Sequence, residues 1–414
     1  MKPSRRSFLK AGSLVPLAGA ATSSLAAPAP AHAVFDPWVE VPAPSASAFD
    51  PWVEVHPGNL RHNVAEIQRR VGGRPILAVI KNNGYGGGVV EIGRALDTLG
   101  AVAGLAVVKL QEATALRDGG VRKPILLMGP FDERDLEDAA TRDIMPMVYT
   151  PIGATLDRLA AKLGRPVRLH ICVDTGIGRV GVPYRDAAPL IRDLAGRKSV
   201  AIEGTMMTFT EDPNFDREQL TRFQTLCESL EREGVRLGRR HAASSFTLFQ
   251  HPDAFFDMVR PGMAVFGVYS EQEFRRAGVM DLRPALALKT RVAYVKQLRQ
   301  GESAGYNRAY LAGRDVWVAT LPVGHTDGSP RVAAKGARVR IGGALYPVVA
   351  SVSASHTIVE IGEEPRVRIG DQATLFDWQD GSRPEDVAAA CGASVYDLTM
   401  HMNPLLPRRV MTTE

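Results

Sequence analysis

Pro75-Ile-Leu-Ala-Val-Ile80, followed by Lys81-Asn-Asn-Gly-Tyr-Gly-Gly-Gly88, is the stretch that decides how this chain folds. Six apolar residues in a row read as a short strand buried on both faces between parallel neighbours. The glycines after it stop strand and helix alike, because glycine loses too much backbone freedom in either. Lys81 therefore stands at the C-terminal mouth of a buried strand, where α/β barrels keep their reacting groups. Partial desolvation there lowers the pKa of an ammonium and makes the amine usable as a nucleophile or base. A lysine snorkelling from a strand end is the plainer account of one residue taken alone. The rest of the chain argues against it.

Outward from this strand, short β-branched runs alternate with helical patterns. Leu60, Val64, Ile67 and Val71 mark one face of a first helix. Strand-like runs fall at 76–80, 103–108, 124–128, 144–148, 167–173, 200–207, 239–243 and 256–259, with helical stretches such as 109–118, 151–163 and 215–233 between them. These units predict an α/β fold with an N-terminal (β/α)8 barrel, TIM-like, over residues 51–283. A doubly wound open sheet is the competing arrangement of the same elements. After Leu282-Arg-Pro284 the pattern changes to short alternating segments at 285–297, 315–321, 337–342, 345–353, 356–361 and 373–377, with few helix signals. They predict a mostly β C-terminal domain over 284–414.

The first 33 residues read as an address. Ser4-Arg-Arg-Ser-Phe-Leu-Lys10 has the form of a twin-arginine export signal, a mildly apolar stretch follows, and Ala31-His-Ala33 offers a small-residue cleavage site. Pro16, two glycines and the shortness of the stretch argue against a retained span. A periplasmic or otherwise exported protein is expected, with no membrane attachment after cleavage. Residues 34–50 read as a linker arm, and within and beside it Phe35-Asp-Pro-Trp-Val-Glu-Val41 recurs as Phe49-Asp-Pro-Trp-Val-Glu-Val55. The second copy runs into the first helix and is expected to be the structural one.

Charge excludes a class of partner. The formal charge of +5 includes four basic and no acidic side chains in residues 1–33, so it falls to +1 without them. No basic run interleaved with aromatics follows, and a nucleic-acid role is unsupported. Cys172, Cys227 and Cys391 are few and far apart, leaving room for one disulfide and a free thiol. No CxxC, HExxH or Walker-type loop is present, so no metal is expected.

Groups with chemistry gather behind the barrel strands. Lys81 and Tyr85 follow one run, Asp174-Thr-Gly-Ile-Gly-Arg179 another, and Thr208 a third. Ser244 and Ser245 follow 239–243, and Arg260-Pro-Gly-Met263 follows 255–259. One lysine, two arginines, small hydroxyls and bare glycine backbone thus share a rim, and hydroxyls with free N–H groups suit a phosphate. A lysine beside a phosphate site, with no glutamate–metal cluster, points to pyridoxal 5′-phosphate held covalently by the amine. Taken singly, the serines cap helices and the arginines make surface pairs, but five loops would have to do so independently.

On these residues the sequence resembles the alanine racemase family, the fold-type III pyridoxal phosphate enzymes, from about Trp52 to Val410. The landmarks are Ala78-Val-Ile-Lys-Asn-Asn-Gly-Tyr-Gly86, Asp174-Thr-Gly-Ile-Gly-Arg-Val-Gly181, His241-Ala-Ala-Ser-Ser245, Val259-Arg-Pro-Gly-Met263, Tyr306, Leu321-Pro-Val-Gly-His-Thr-Asp-Gly328 and Tyr396. The resemblance implies an amino-acid racemase acting as a head-to-tail homodimer with shared sites. It implies that Lys81 binds the cofactor and serves as one base, with Tyr306 of the second subunit as the other. Tyr85, Ser245, Tyr396 and the backbone of Gly262 and Met263 would hold the phosphate. Arg260 would meet the pyridine nitrogen, and Arg179 the phenolic oxygen and the substrate carboxylate. Inverting a carbon needs a proton removed on one face and returned on the other, hence two bases. Arginine keeps its proton, which leaves the ring nitrogen largely neutral and restrains side reactions.

The chain also departs from the family pattern. Cys172 stands for a lysine, Thr208 for a histidine supporting the pyridine-facing arginine, Ser244 for an asparagine and His325 for a tyrosine at the mouth of the site. Ala354-Ser355 replaces a Met-Asp pair, and the smaller Ala354 would enlarge the substrate side. A substrate range beyond alanine is therefore expected. Two rival functions remain. One is a cofactor-binding protein whose altered surroundings have ended catalysis. The other is a serine hydrolase, because Gly301-Glu-Ser-Ala-Gly305 matches a nucleophile elbow with Asp327, His356 and His401 downstream. An elbow needs strand, turn and helix, and no helix pattern follows Ser303. A related fold-type III enzyme of aldol or decarboxylase chemistry is a third variant of the same site.

Overall fold

The computed structural model describes residues 48–411; the export signal, the first repeat copy and most of the expected linker lie outside the described residues. Strand β1 (Trp52–Val55) opens the fold and the helix Pro57–Arg70 follows, burying Leu60, Val64 and Ile67 as the spacing predicts. Then come β2 (Ile76–Val79), β3 (Val102–Val107), β4 (Ile125–Leu127), β5 (Ile144–Val148), β6 (Val167–Asp174), the two-residue β7 (Val182–Pro183), β8 (Val200–Met206) and β9 (Arg239–His241). Neighbours run β2-β3-β4-β5-β6-β8-β9, all parallel, with β7 beside β6. Helices cover the outside between them, which is why Ile76–Val79 is buried at every position and shows no alternation.

The run expected at 256–259 closes the ring without forming a full strand. Asp257 N donates to Arg240 O at 3.1 Å and Arg260 N to Ala243 O at 2.8 Å on one side. On the other, Leu77 N donates to Val259 O at 2.8 Å and Val79 N to Pro261 O at 2.9 Å. Phe256 takes a φ of 45° and Pro261 has no N–H, so the ladder is short. The barrel, not the open sheet, is the architecture.

The second domain follows the sequence pattern closely. Its strands are β10 (Leu286–Arg291), β11 (Tyr294–Leu298), β12 (Ser303–Ala304), β13 (Tyr310–Leu311), β14 (Val316–Leu321), β15 (Arg338–Ile341), β16 (Ala344–Val349), β17 (Thr357–Gly362), β18 (Gln372–Phe376) and β19 (Arg408–Val410). A nine-stranded sheet runs β11-β14-β17-β16-β15-β18-β10-β1-β19, and β12–β13 form a separate hairpin. Two helices, Pro384–Cys391 and Val395–Met400, interrupt the expected β pattern. Pro384 at the start of one and the capping box Ser394/Asp397 at the other were their sequence signals.

Strand β1 lies within residues 51–283 yet belongs to this sheet, antiparallel to β10 and parallel to β19. Its buried Glu54 is what disguises it in the sequence. Lys289 Nζ lies 2.7 Å from the carboxylate and Trp52 Nε1 donates at 3.1 Å. Burial opposes the charge, but His56, Lys289 and Trp52 together hold the Glu54 carboxyl down at about 2. All three cysteines are buried and free, so the disulfide left open by the sequence is not formed. Among the described residues no helix is long and apolar enough to cross a membrane.

Candidate active site

The C-terminal ends of the barrel strands open into a cavity of about 430 Å³. Lys81, Tyr85, Arg179, Ser245, Arg260, Gly262, Met263 and Tyr396 all line it, so eight of the ten residues singled out from sequence meet at one place. Tyr306 and Ala354 do not. Tyr306 sits on the turn Tyr306–Arg308 of the β domain and is 74 % exposed. Ala354 is exposed on a loop where its carbonyl accepts from Thr326 Oγ1 at 2.7 Å.

Lys81 leads out of β2 into an unusual turn. Asn82, Asn83, Gly84 and Tyr85 have φ of 54°, 56°, 62° and 52°, one turn of left-handed backbone. Residues with a Cβ resist that hand by about 1–2 kcal/mol each, asparagine least among them and glycine not at all. The turn places Lys81 in a half-buried position against the cavity. Burial lowers the Lys81 pKa; Arg179 and Arg260 push the same way, and Glu112 alone opposes them. A lysine so placed gives up its proton more readily than one in water.

Across the cavity, Ser245 Oγ accepts the backbone N–H of Gly262 at 3.0 Å and of Ala264 at 3.1 Å. The Tyr85 hydroxyl rests against Gly262 so closely that a Cβ there would lie 2.1 Å from it. Only glycine lets ring and backbone converge in this way. Burial pushes the Tyr85 phenol above its ordinary range, which keeps it a protonated donor. Serine hydroxyl, tyrosine hydroxyl and bare backbone make a cradle for a small oxyanion.

Arg260 forms the floor, buried and without a carboxylate partner among the described residues. Its Nη1 lies 2.9 Å from His241 Nδ1, and His241 Nε2 lies 2.9 Å from His170 Nδ1. Arginine cannot accept, so His241 Nδ1 is the acceptor and its Nε2–H donates onward to His170. Burial, with Arg260 adding to it, drives both rings well below the usual histidine range, His170 to about 3. Two neutral rings thus aim one cation. Arg260 Nη2 also donates to Met207 O at 3.0 Å and to Thr208 Oγ1 at 3.1 Å. The sequence reading had Arg260 losing its histidine support at Thr208. Here His241 supplies that support, and Thr208 adds a hydroxyl.

Asp174 shapes the loop that carries Arg179, its Oδ1 accepting Gly176 N at 2.8 Å and Gly178 N at 3.2 Å. Arg179 itself is exposed at the mouth, with no hydrogen-bond partner among the described residues. Cys172 lines the wall, and burial pushes its thiol up to about 11. Glu211 also lines the cavity, at a φ of 66°, its amide held by Asp216 Oδ1 at 3.1 Å. Sequence reasoning missed Glu211 and Glu112, and gave His170 and His241 no role. Only His241 had a signal, its place in His241-Ala-Ala-Ser-Ser245.

The hydrolase motif does not assemble. Ser303 sits in the hairpin strand β12, accepts from Arg308 Nε at 3.2 Å, and leads into a short 3-10 turn. No histidine is bonded to it among the described residues. Nor do any three histidine, cysteine, aspartate or glutamate side chains among those residues gather to hold a metal.

Comparison with known proteins agrees with this geometry. The model of the alanine racemase N-terminal domain matches residues 55–270, and that of the C-terminal domain matches 285–410. An alanine racemase of Symbiobacterium thermophilum is 35% identical over 356 residues, 84% of this chain and 94% of that one. Alanine racemase 2 of Caldanaerobacter subterraneus is 30% identical over 363 residues, 86% and 93% of the two chains. Among solved structures, the Streptomyces lavendulae alanine racemase superposes with a TM-score of 0.81 at 27% identity, over 89% of this chain and 99% of that one. The Bacillus anthracis enzyme with bound L-Ala-P gives 0.78 at 28%, over 89% and 96%. This family works with pyridoxal 5′-phosphate. The desolvated lysine, the oxyanion cradle and the buried arginine aimed by His241 and Thr208 fit that group. Fold, cavity and both domain matches coincide: the chain belongs to the alanine racemase family.

Proposed function

We propose that this chain is an exported, homodimeric racemase that inverts alanine and longer amino acids by proton transfer between Lys81 and Tyr306 of a second copy. The observation that carries the reading is Lys81, partly desolvated, depressed in pKa by burial and by the charges of Arg179 and Arg260, and lining one cavity with Ser245, Gly262 and Tyr85. Pyridoxal 5′-phosphate, when bound through the Lys81 amine, would supply the electron sink that acidifies Cα–H. Ser245, Tyr85, Tyr396 and the amides of Gly262 and Met263 would hold its phosphate. Arg260, aimed by His241 and Thr208, would face its ring nitrogen and keep that nitrogen from being fully protonated. Arg179 would bind the substrate carboxylate and turn Cα toward Lys81.

A base on the second face has to come from elsewhere. Tyr306 lies outside the cavity of its own chain and is exposed, as a group offered to a neighbour would be. The neutral Lys81 amine can take the α-proton on one face while a tyrosine hydroxyl returns a proton on the other.

The test is direct. The purified full chain should show the absorbance of lysine-bound cofactor and should racemise L-alanine when followed by chiral chromatography. In a panel of alanine, serine, lysine and arginine, at least one side chain longer than alanine's should turn over within about a hundredfold of alanine's kcat/KM, since one methylene is worth only about 1–3 kcal/mol in a pocket. Turnover of alanine alone would remove the broad range, and bound cofactor with no solvent deuterium entering any amino acid would leave the cofactor-binding rival.

Export is a separate part of the proposal. Ser4-Arg-Arg-Ser-Phe-Leu-Lys10 supports it. With Arg5 and Arg6 both changed to lysine, activity is expected to shift from the exported fraction to the cytoplasm, because the receptor reads the arginine pair and not its charge. Unchanged fractionation would refute it.

A further inference from the structure

Glu112 is buried on the helix Leu110–Asp118, and its carboxylate binds three backbone N–H groups and, among the described residues, no cationic side chain. Oε1 accepts from Asn83 N at 2.8 Å, and Oε2 from Lys109 N at 3.2 Å and Val108 N at 3.3 Å. The last two bonds cap its own helix, an ordinary duty for a glutamate at this position. The first is not local: it crosses to the neighbouring βα unit and grips the left-handed turn two residues after Lys81.

That turn needs such a grip. Its own bonds, Gly84 N to Ile80 O at 3.1 Å, Gly88 N to Asn83 O at 2.9 Å and Val89 N to Asn83 Oδ1 at 3.0 Å, tie the turn to itself and to the next helix. None of them reaches the strand next door, whose last backbone bond to this segment comes before Lys81, from Ile80 N to Ala106 O at 2.9 Å. A carboxylate spanning both segments does, since its two oxygens are rigidly spaced and each is used.

We infer that Glu112 is a positioning residue for Lys81, holding the lysine turn of β2 in register with the end of β3 so that the amine meets the reacting carbon. The inference rests on the reading of Lys81 as the reacting lysine. Glu112 is also the one anion among the three charged groups that act on Lys81, the others being Arg179 and Arg260. Lys109, Tyr396, Asp397 and His401 line the neighbouring hollow with Glu112 and face the same turn. An amide at position 112 has one accepting oxygen, so Glu112→Gln can serve the helix cap or the lysine turn, not both. Alanine serves neither.

The experiment compares wild type, Glu112→Gln and Glu112→Ala as cofactor-loaded full chains. Borohydride reduction and peptide mapping on wild type come first: an unmodified Lys81 peptide refutes the underlying reading, independently of Glu112. With Lys81 labelled, kcat per bound cofactor is expected to fall about tenfold in Glu112→Gln and about a hundredfold in Glu112→Ala, with KM within about twofold, as for a misplacement near 1 Å. Hydroxylamine should strip the cofactor correspondingly faster. A merely structural glutamate would lower Tm and yield but leave both normalised quantities within twofold of wild type, and that result overturns the inference. If neither variant folds, amide exchange on wild type decides: slow exchange at Asn83 supports the grip, and exchange as fast as in a free loop overturns it.

Discussion

Lys81→Ala is expected to lower kcat for alanine racemisation by about a thousandfold or more, and Lys81→Arg by nearly as much. The two losses have the same cause. Alanine removes the amine; arginine restores the charge on a group that neither attaches to an aldehyde nor gives up its proton. Were Lys81 only a counter-charge at a strand end, arginine would recover most of the activity. Chiral chromatography of product against time measures the rates. Mass mapping after borohydride reduction shows whether the Lys81 peptide carries the cofactor in wild type. More than a tenth of wild-type kcat in either variant would end the assignment. The effect is expected to be large because burial and two arginines have already brought this lysine toward its neutral form.

Tyr306→Phe comes next, with an expected loss of about 10²–10⁴ in racemisation and a more specific signature in exchange. If each face of Cα has its own base, the variant should still exchange the α-hydrogen of one enantiomer with solvent deuterium, the one whose hydrogen faces Lys81. Exchange from the other enantiomer and inversion itself should fall together. Proton NMR of each enantiomer in D2O reads both. Equal loss of exchange from both enantiomers would mean that a single base serves the two faces. Since Tyr306 is exposed and lies outside its own chain's cavity, mixing Tyr306→Phe with Lys81→Ala protein should restore a fraction of the activity if sites are shared. In such a hybrid, one of the two sites holds an intact lysine and an intact tyrosine.

What could be read in advance divides along physical lines. The barrel strands were legible because strands buried on both faces leave unbroken apolar runs, and Ile76–Val79 is the clearest. Seven of the eight cavity residues were legible because they follow those strands directly, so counting along the chain is equivalent to walking round the rim; Tyr396, on the helix Val395–Met400, came from the family resemblance alone. Glu112, Glu211 and His170 were not. Each acts through a bond whose partner is remote in sequence or through a backbone angle, and neither leaves a spacing pattern. Glu112 reaches Asn83, His170 reaches His241, and Glu211 owes its orientation to Asp216. Tyr306 is the opposite case. The family resemblance named it, and nothing within its own chain brings it to the lysine.

Strand β1 is also instructive. It follows the linker directly, yet it completes a sheet whose parallel partner is β19, Val53 pairing with Arg408 and Val55 with Val410. Those contacts join points about 350 residues apart, the most distant kind of pairing a chain makes and the slowest to form. A nascent chain leaving the ribosome can set one edge of this strand against β10 once residue 291 is made, but the other edge waits for residues 408–410. That edge is thereby among the last to close, and a chain cut short before Arg408 would leave it open for proteases to find.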